Sequence, residues 1–129
     1  MRFFVTQFDE LRQQFADRVD FLMVYIEEAH AEDEWPVRSA RYNDGVPVRV
    51  NQPRTLSDRL AIATEFVSRF KLMNLPTLVD DPEKGNLFSS AFAPWPIRFY
   101  VVHKGKMCFI ANPVNCEYSI RELRDAIER

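Results

Sequence analysis

The chain has 129 residues, 47% of them hydrophobic, and a formal charge of −2 from 17 basic and 19 acidic side chains. That length fits a single compact domain over residues 1–129, able to bury a core without disulfides or a metal. The balanced charge, with no basic stripe and no acidic block, excludes a nucleic-acid footprint and leaves small molecules or proteins as partners. No apolar run approaches the ~20 residues of a membrane-spanning helix, and the start lacks the apolar stretch of a signal peptide, so this chain itself is expected to be soluble.

Phe4, Phe8, Leu11, Phe15 and Val19 recur at helical spacing with polar residues between them, which predicts an amphipathic helix laid against a core. Phe21-Leu22-Met23-Val24-Tyr25-Ile26 is an uninterrupted apolar run of strand length. Continuous rather than alternating hydrophobicity predicts a central strand covered on both faces. From about 27 to 53 the chain is polar and broken by Pro36, Gly45, Pro47 and Pro53, which predicts a long loop of the kind that carries function. Thr55 with Asp58 reads as a capped helix start, followed by a buried stripe of Leu56, Leu60, Ala63, Val67 and Phe70.

Pro76 to Asp80 reads as a short buried strand ending in an acidic turn, and Asp81 to Ala91 as a short helix or turn. Asp80, Asp81 and Glu83 are expected to form a solvated turn rather than a metal site. Ile97–Val102 and Lys106–Ala111, joined by His103-Lys104-Gly105, predict an antiparallel hairpin with His103 at the surface. Pro94 and Pro96 place a strand start just after them, because proline cannot pair within a central ladder. Ser119-Ile120-Arg121-Glu122 is a capping box opening a closing helix with Ile120, Leu123 and Ile127 on its apolar face.

Strands separated by helices and then a hairpin predict an α/β fold with a parallel section and antiparallel strands beside it. The two cysteines, Cys108 and Cys116, have no spacing suited to zinc or to a C-x-x-C pair. They read as reduced thiols, one packed in a strand, with a single bridge between them as the alternative.

The block from Asp20 through Tyr25-Ile26-Glu27-Glu28-Ala29-His30, followed by Asp33 and Trp35, resembles the signature of the iodothyronine deiodinases. Gln52-Pro53-Arg54-Thr55-Leu56-Ser57-Asp58-Arg59 resembles the family's approach to its second helix, and Arg98-Phe99-Tyr100-Val101-Val102 its late strand. The resemblance runs from about Phe8 to Glu128. It implies a thioredoxin-like fold and a reductive removal of iodide by a selenocysteine, with a thiol reductant as cosubstrate and no bound cofactor. In that family the selenocysteine follows the first strand at the start of the first helix, where a helix N-terminus stabilises a selenolate. Counting back from Phe8 puts that position at Met1 or just upstream, and a methionine thioether is a poor nucleophile. The expectation is therefore an N-terminally truncated thioredoxin-like domain, inactive as it stands, with a deiodinase-type loop insertion after the first strand present. The family's membrane association and homodimerisation are expectations carried by the same resemblance.

Tyr25, Glu28 and His30 match positions that the resemblance implicates in proton delivery. The residues agree in kind, since a phenol, a carboxylate and an imidazole at the C-terminal end of a strand lie where open α/β sheets place ligands. Reductive deiodination must protonate a ring carbon as iodine leaves, and His30 or Glu28 is the expected relay. Glu27 alternates away from Glu28 along an extended strand and ranks lower. Trp35, Trp95 and Tyr100 read equally as core or as lining of an aromatic-substrate cleft. Where the family has a histidine before the second helix this chain has Pro53, and where it has a glutamate before the late strand this chain has Ile97. The arginine near the following turn has no match around Asn112-Pro113. A halogenated phenol other than thyroid hormone fits these departures. The alternatives are a thiol-peroxidase or peroxiredoxin-like redox protein and a non-catalytic binding protein of the same fold.

Overall fold

The computed structural model of the chain describes residues 2–36, 49–113 and 117–129, with side chains from Val5 onward. It is mixed α/β, with a parallel and an antiparallel two-stranded sheet, and it divides into two compact units, Met1–Trp95 and Pro96–Arg129.

The first unit opens with helix α1 (Arg2–Gln14). Its apolar face buries Leu11 and, in the turn that follows, Phe15, while Asp9 holds Arg12 and Gln13 on the solvent side at 2.9 and 3.0 Å. The helix gives way to a turn in which Val19 N–H donates to the Phe15 carbonyl. Strand β1 (Met23–Tyr25) is shorter than the apolar run suggested. It pairs in parallel with β2 (Thr77–Val79), with Met23 opposite Thr77 and Tyr25 opposite Val79. Met23, Val24 and Tyr25 are each only half-buried and Leu22 beside them is more than half exposed, which corrects the expectation of a strand covered on both faces. Leu78, also more than half exposed, likewise corrects the expectation of a buried strand at β2. Among the described residues β1 has a strand partner on one edge, so there is no second sheet neighbour to extend its cover.

Helix α2 (Leu56–Arg69) starts as expected, with Thr55 Oγ1 accepting from Asp58 N–H at 3.1 Å. Its buried stripe needs one correction, because Leu60 is 46% exposed whereas Arg59 is 1% exposed. Arg59 and Ala63 lie four apart and share the inward face, so the arginine occupies the slot expected for leucine. After β2 comes a single 3₁₀ turn (Pro82–Lys84) capped by Asp81, and then the short helix α3 (Leu87–Phe92). Asp80 is not the solvated acid expected of this turn. It is buried, and its carboxylate accepts from Phe88 N–H, Ser89 N–H and the Ser89 hydroxyl at 2.7–2.9 Å. The first turn of α3 supplies donors that have no partner within the helix, and they outcompete water for the carboxylate.

The second unit is a hairpin with a helix on it. Strands β3 (Tyr100–His103) and β4 (Lys106–Ile110) are antiparallel, with His103 opposite Lys106 and a register shift between Val101 and Val102. Lys104 and Gly105 both have positive φ, 52° and 74°, the geometry whose twist matches the flanking strands in a two-residue hairpin. His103 is exposed, as expected. Helix α4 (Ile120–Glu128) packs on both strands, with Leu123 buried and Ser119 Oγ accepting from Glu122 N–H at 3.2 Å. Tyr118 stands edge-on to Phe99 at 5.6 Å and donates its hydroxyl to the Ile97 carbonyl. Cys108, expected to be packed within its strand, is an exposed free thiol, because β4 turns that side to solvent. Cys116 lies outside the described residues.

Candidate functional site

The candidate residues lie where β1 ends. Pairing with β2 fixes the backbone of Tyr25, whose carbonyl accepts from Asp80 N–H at 2.9 Å, and the Phe66 ring of α2 meets the Tyr25 ring edge-on at 5.6 Å. Three residues on, Glu28 Oε1 accepts a hydrogen bond from the Tyr25 hydroxyl at 2.5 Å. The phenol is held well above the ordinary tyrosine range. Burial is the main cause, followed by the charge of the Glu28 carboxylate and the hydrogen bond that keeps the proton in place, with the Arg59 charge acting in the opposite sense. Tyr25 and Glu28 thus form a phenol–carboxylate pair in which the phenol keeps its proton and donates a short hydrogen bond to the carboxylate.

His30 is placed differently. Its Nδ1 lies 3.1 Å from the Trp35 carbonyl, and its ring lies 5.2 Å from the Trp35 ring at 58°. A carbonyl can only accept, so Nδ1 carries the proton in this arrangement and Nε2 remains available as an acceptor. His30 and Trp35 are both exposed. Among the described residues no hydrogen bond joins His30 to Tyr25 or Glu28. Tyr25 and Glu28 therefore form a half-buried pair at the strand end, while His30 stands apart from them, facing solvent beside Trp35.

Sequence reasoning passed over Gln52, which holds this region together. Its side-chain Oε1 accepts from Glu28 N–H at 2.8 Å, and its Nε2 donates to the Glu28 carbonyl at 2.9 Å and to Glu34 Oε2 at 3.0 Å. Its own N–H donates to Asp33 Oδ1 at 2.8 Å. Arg54 adds an ion pair to Glu34 at 3.3 Å and a looser one to Asp33 at 4.0 Å, exposed enough to contribute little.

Behind the site Arg59 donates to the Asp80 carbonyl, Asn86 Oδ1 and the Pro53 carbonyl. The signal for Arg59 was present as a charged residue on an apolar stripe. For Gln52 no periodic signal exists. Trp95 is exposed, and Tyr100 is raised above the ordinary tyrosine range chiefly by burial, partly offset by Arg98. Among the described residues no group of three His, Cys, Asp or Glu side chains is arranged to hold a metal ion, and no helix is long and apolar enough to cross a membrane.

The family model for iodothyronine deiodinase matches residues 2–129. The chain belongs to the iodothyronine deiodinase family. Similar proteins include a type I iodothyronine deiodinase of Xenopus laevis, 29% identical over 95% of this chain and 44% of its own length. A thyroxine 5-deiodinase of Gallus gallus is 32% identical over 95% of this chain and 43% of its own, and one of Sparus aurata is 31% identical over 95% and 42%. The chain therefore spans less than half the length of these deiodinases, and the Tyr25–Glu28 pair lies inside the matched span.

Proposed function

We propose that this chain is the proton-delivering part of a deiodinase-type reductive dehalogenation site, with the attacking selenolate or thiolate supplied by protein outside these 129 residues. The observation that carries the reading is the 2.5 Å hydrogen bond from Tyr25 to Glu28 at the end of β1, in a chain of the deiodinase family. The nucleophile takes iodine from the aromatic ring as a cation equivalent, which leaves the carbon–iodine electron pair on the ring carbon. That carbon needs one proton, and the Tyr25–Glu28 pair holds one, with His30 as the outer acceptor and donor facing solvent. Two thiols then reduce the selenenyl or sulfenyl iodide, releasing iodide and forming a disulfide. The substrate is an iodothyronine-like or other halogenated phenol, whose ring suits the exposed Trp35 and His30 faces.

The fold reading that goes with this is a single thioredoxin-like domain, truncated at its N-terminal side, whose remaining strand lies elsewhere in the protein. The one-sided pairing of β1 among the described residues supports it. The test is to extend the chain to the length of its relatives, with cysteine at the nucleophile position, and to measure iodide release from thyroxine with a dithiol. Glu28→Gln and Tyr25→Phe should each lower kcat by about 10²-fold or more. Full turnover in both variants would remove the pair from the reaction. Peroxide consumption without iodide release would favour the thiol-peroxidase reading, to which Pro53 and Ile97 lend some weight.

A further inference from the structure

Glu28 sits three residues beyond the last pair of the β1–β2 ladder, which ends at Tyr25 opposite Val79. A half-buried peptide group past the end of a ladder still needs partners for its N–H and its carbonyl. Gln52, 24 residues away in sequence, provides both, at 2.8 Å for the N–H and 2.9 Å for the carbonyl. The side-chain amide thus acts as one peptide unit of a neighbouring strand. Its second Nε2 hydrogen goes to Glu34 Oε2 at 3.0 Å, so each amide hydrogen has an acceptor and the oxygen has a donor. Turning the amide over would set NH₂ against N–H and oxygen against both a carbonyl and a carboxylate, so the orientation is fixed by its surroundings.

We propose that Gln52 is a positioning residue that holds the Glu28 backbone so that the Glu28 carboxylate stays on the Tyr25 hydroxyl. This rests on the reading of Tyr25 and Glu28 as the proton-delivering pair. Tyr25 is anchored by the ladder and by Phe66, and Glu28 by Gln52. The distance between the two side chains is set by these two anchors, because the residues between them lie past the end of the strand. Only glutamine has the required reach and donor pattern. Asparagine is one methylene short, alanine leaves both Glu28 peptide groups unpaired, and an ionised glutamate would set oxygen against the Glu28 carbonyl and the Glu34 carboxylate.

The experiment uses the 129-residue chain and reads NMR signals rather than turnover. In a folded Gln52→Ala variant, exchange of the Glu28 amide proton should quicken by about tenfold, the loss of one hydrogen bond. Tyr25, released from its acceptor, should titrate at lower pH than in the parent. Unchanged Glu28 exchange with unchanged Tyr25 titration would overturn the proposal. Should Gln52→Ala fail to fold, Gln52→Glu decides the matter. A protonated carboxyl offers one donor and one acceptor and can mimic the amide toward Glu28. The Glu28 amide resonance should then return toward its parent position at low pH and leave it as the introduced carboxyl ionises, whereas a pH-independent position would overturn the proposal. A pair that loosens in Gln52→Ala, in a protein whose Glu28→Gln and Tyr25→Phe variants still release iodide at full rate, would sink the assigned reaction and leave the clamp standing.

Discussion

From inside helix α2, Arg59 Nη1 donates to the main-chain carbonyl of Asp80 at 2.7 Å, although the arginine is 1% exposed. Its other acceptors are Asn86 Oδ1 and the Pro53 carbonyl, and its Nε has no partner among the described residues. One side chain therefore gathers the approach to α2 at Pro53, the end of β2 and the start of α3. A guanidinium fits because its donors spread in a plane over several carbonyls.

Arg59→Ala leaves these oxygens buried without donors and opens a cavity. The expected loss is about 3 kcal/mol or more in denaturant unfolding. Arg59→Met keeps most of the volume and removes the cost of a buried charge, so it should lose clearly less. Equal losses for the two would show that hydrogen bonding rather than packing dominates.

Asp80 gathers three donors of the first turn of α3 on its carboxylate. Asp80→Ala should cost about 2 kcal/mol and loosen α3 first. Asp80→Asn, which keeps one acceptor oxygen, should cost less. Amide exchange at Phe88 and Ser89 reads the effect directly, and those amides should be the first to lose protection.

The raised titration of Tyr25 has a signed consequence for stability. An unfolded tyrosine loses its proton near about pH 10, whereas native Tyr25 holds its proton to higher pH because of burial and then of Glu28. Above about pH 10 the unfolded chain therefore binds fewer protons than the native one, and stability falls as pH rises. Tyr25→Phe removes this contribution. Its unfolding free energy should decline less steeply from about pH 9 to about pH 11 than that of the parent, as urea titrations at each pH would measure.

Gly105 tests the hairpin. No atom lies within 4 Å of a Cβ built there, so an added methyl meets no clash, but the backbone has φ of 74°. Gly105→Ala should cost about 1 kcal/mol through backbone strain alone. Gly105→Asn should cost less, because asparagine tolerates that region better. Thermal unfolding midpoints would separate the two.

The features legible in the sequence were those with a period or a local signature. Leu11 and Phe15 were placed by helical spacing, Thr55 and Ser119 by cap chemistry, and the hairpin by Gly105 between two apolar runs. The block from Tyr25 to His30 supplied candidate residues by resemblance, and the fold joins two of them, Tyr25 and Glu28, by a hydrogen bond. Three readings failed for a common reason. Leu60, Asp80 and Cys108 were judged by residue type, whereas burial was decided by what the neighbouring element offered. The inward face of α2 had oxygens to satisfy and so took Arg59. The start of α3 had free amides and so took Asp80. β4 turned Cys108 outward. Gln52 escaped because its partners are distant in sequence and no local pattern links a loop glutamine to the peptide groups of Glu28.

That sequence distance has a kinetic meaning. His103 and Lys106 pair across a two-residue turn, and such hairpins close within about 1–10 μs. Gln52 can reach Glu28 only after the 24-residue interval between them has been closed, at an entropy cost that the hairpin never meets. The Gln52 clamp on Glu28 is thus a long-range product of folding, set in place after the local elements exist, although Tyr25 and Glu28 themselves are only three residues apart. A destabilised variant should lose the clamp while the hairpin still stands, and a tyrosine signal from this site would then report the last step of assembly rather than the first.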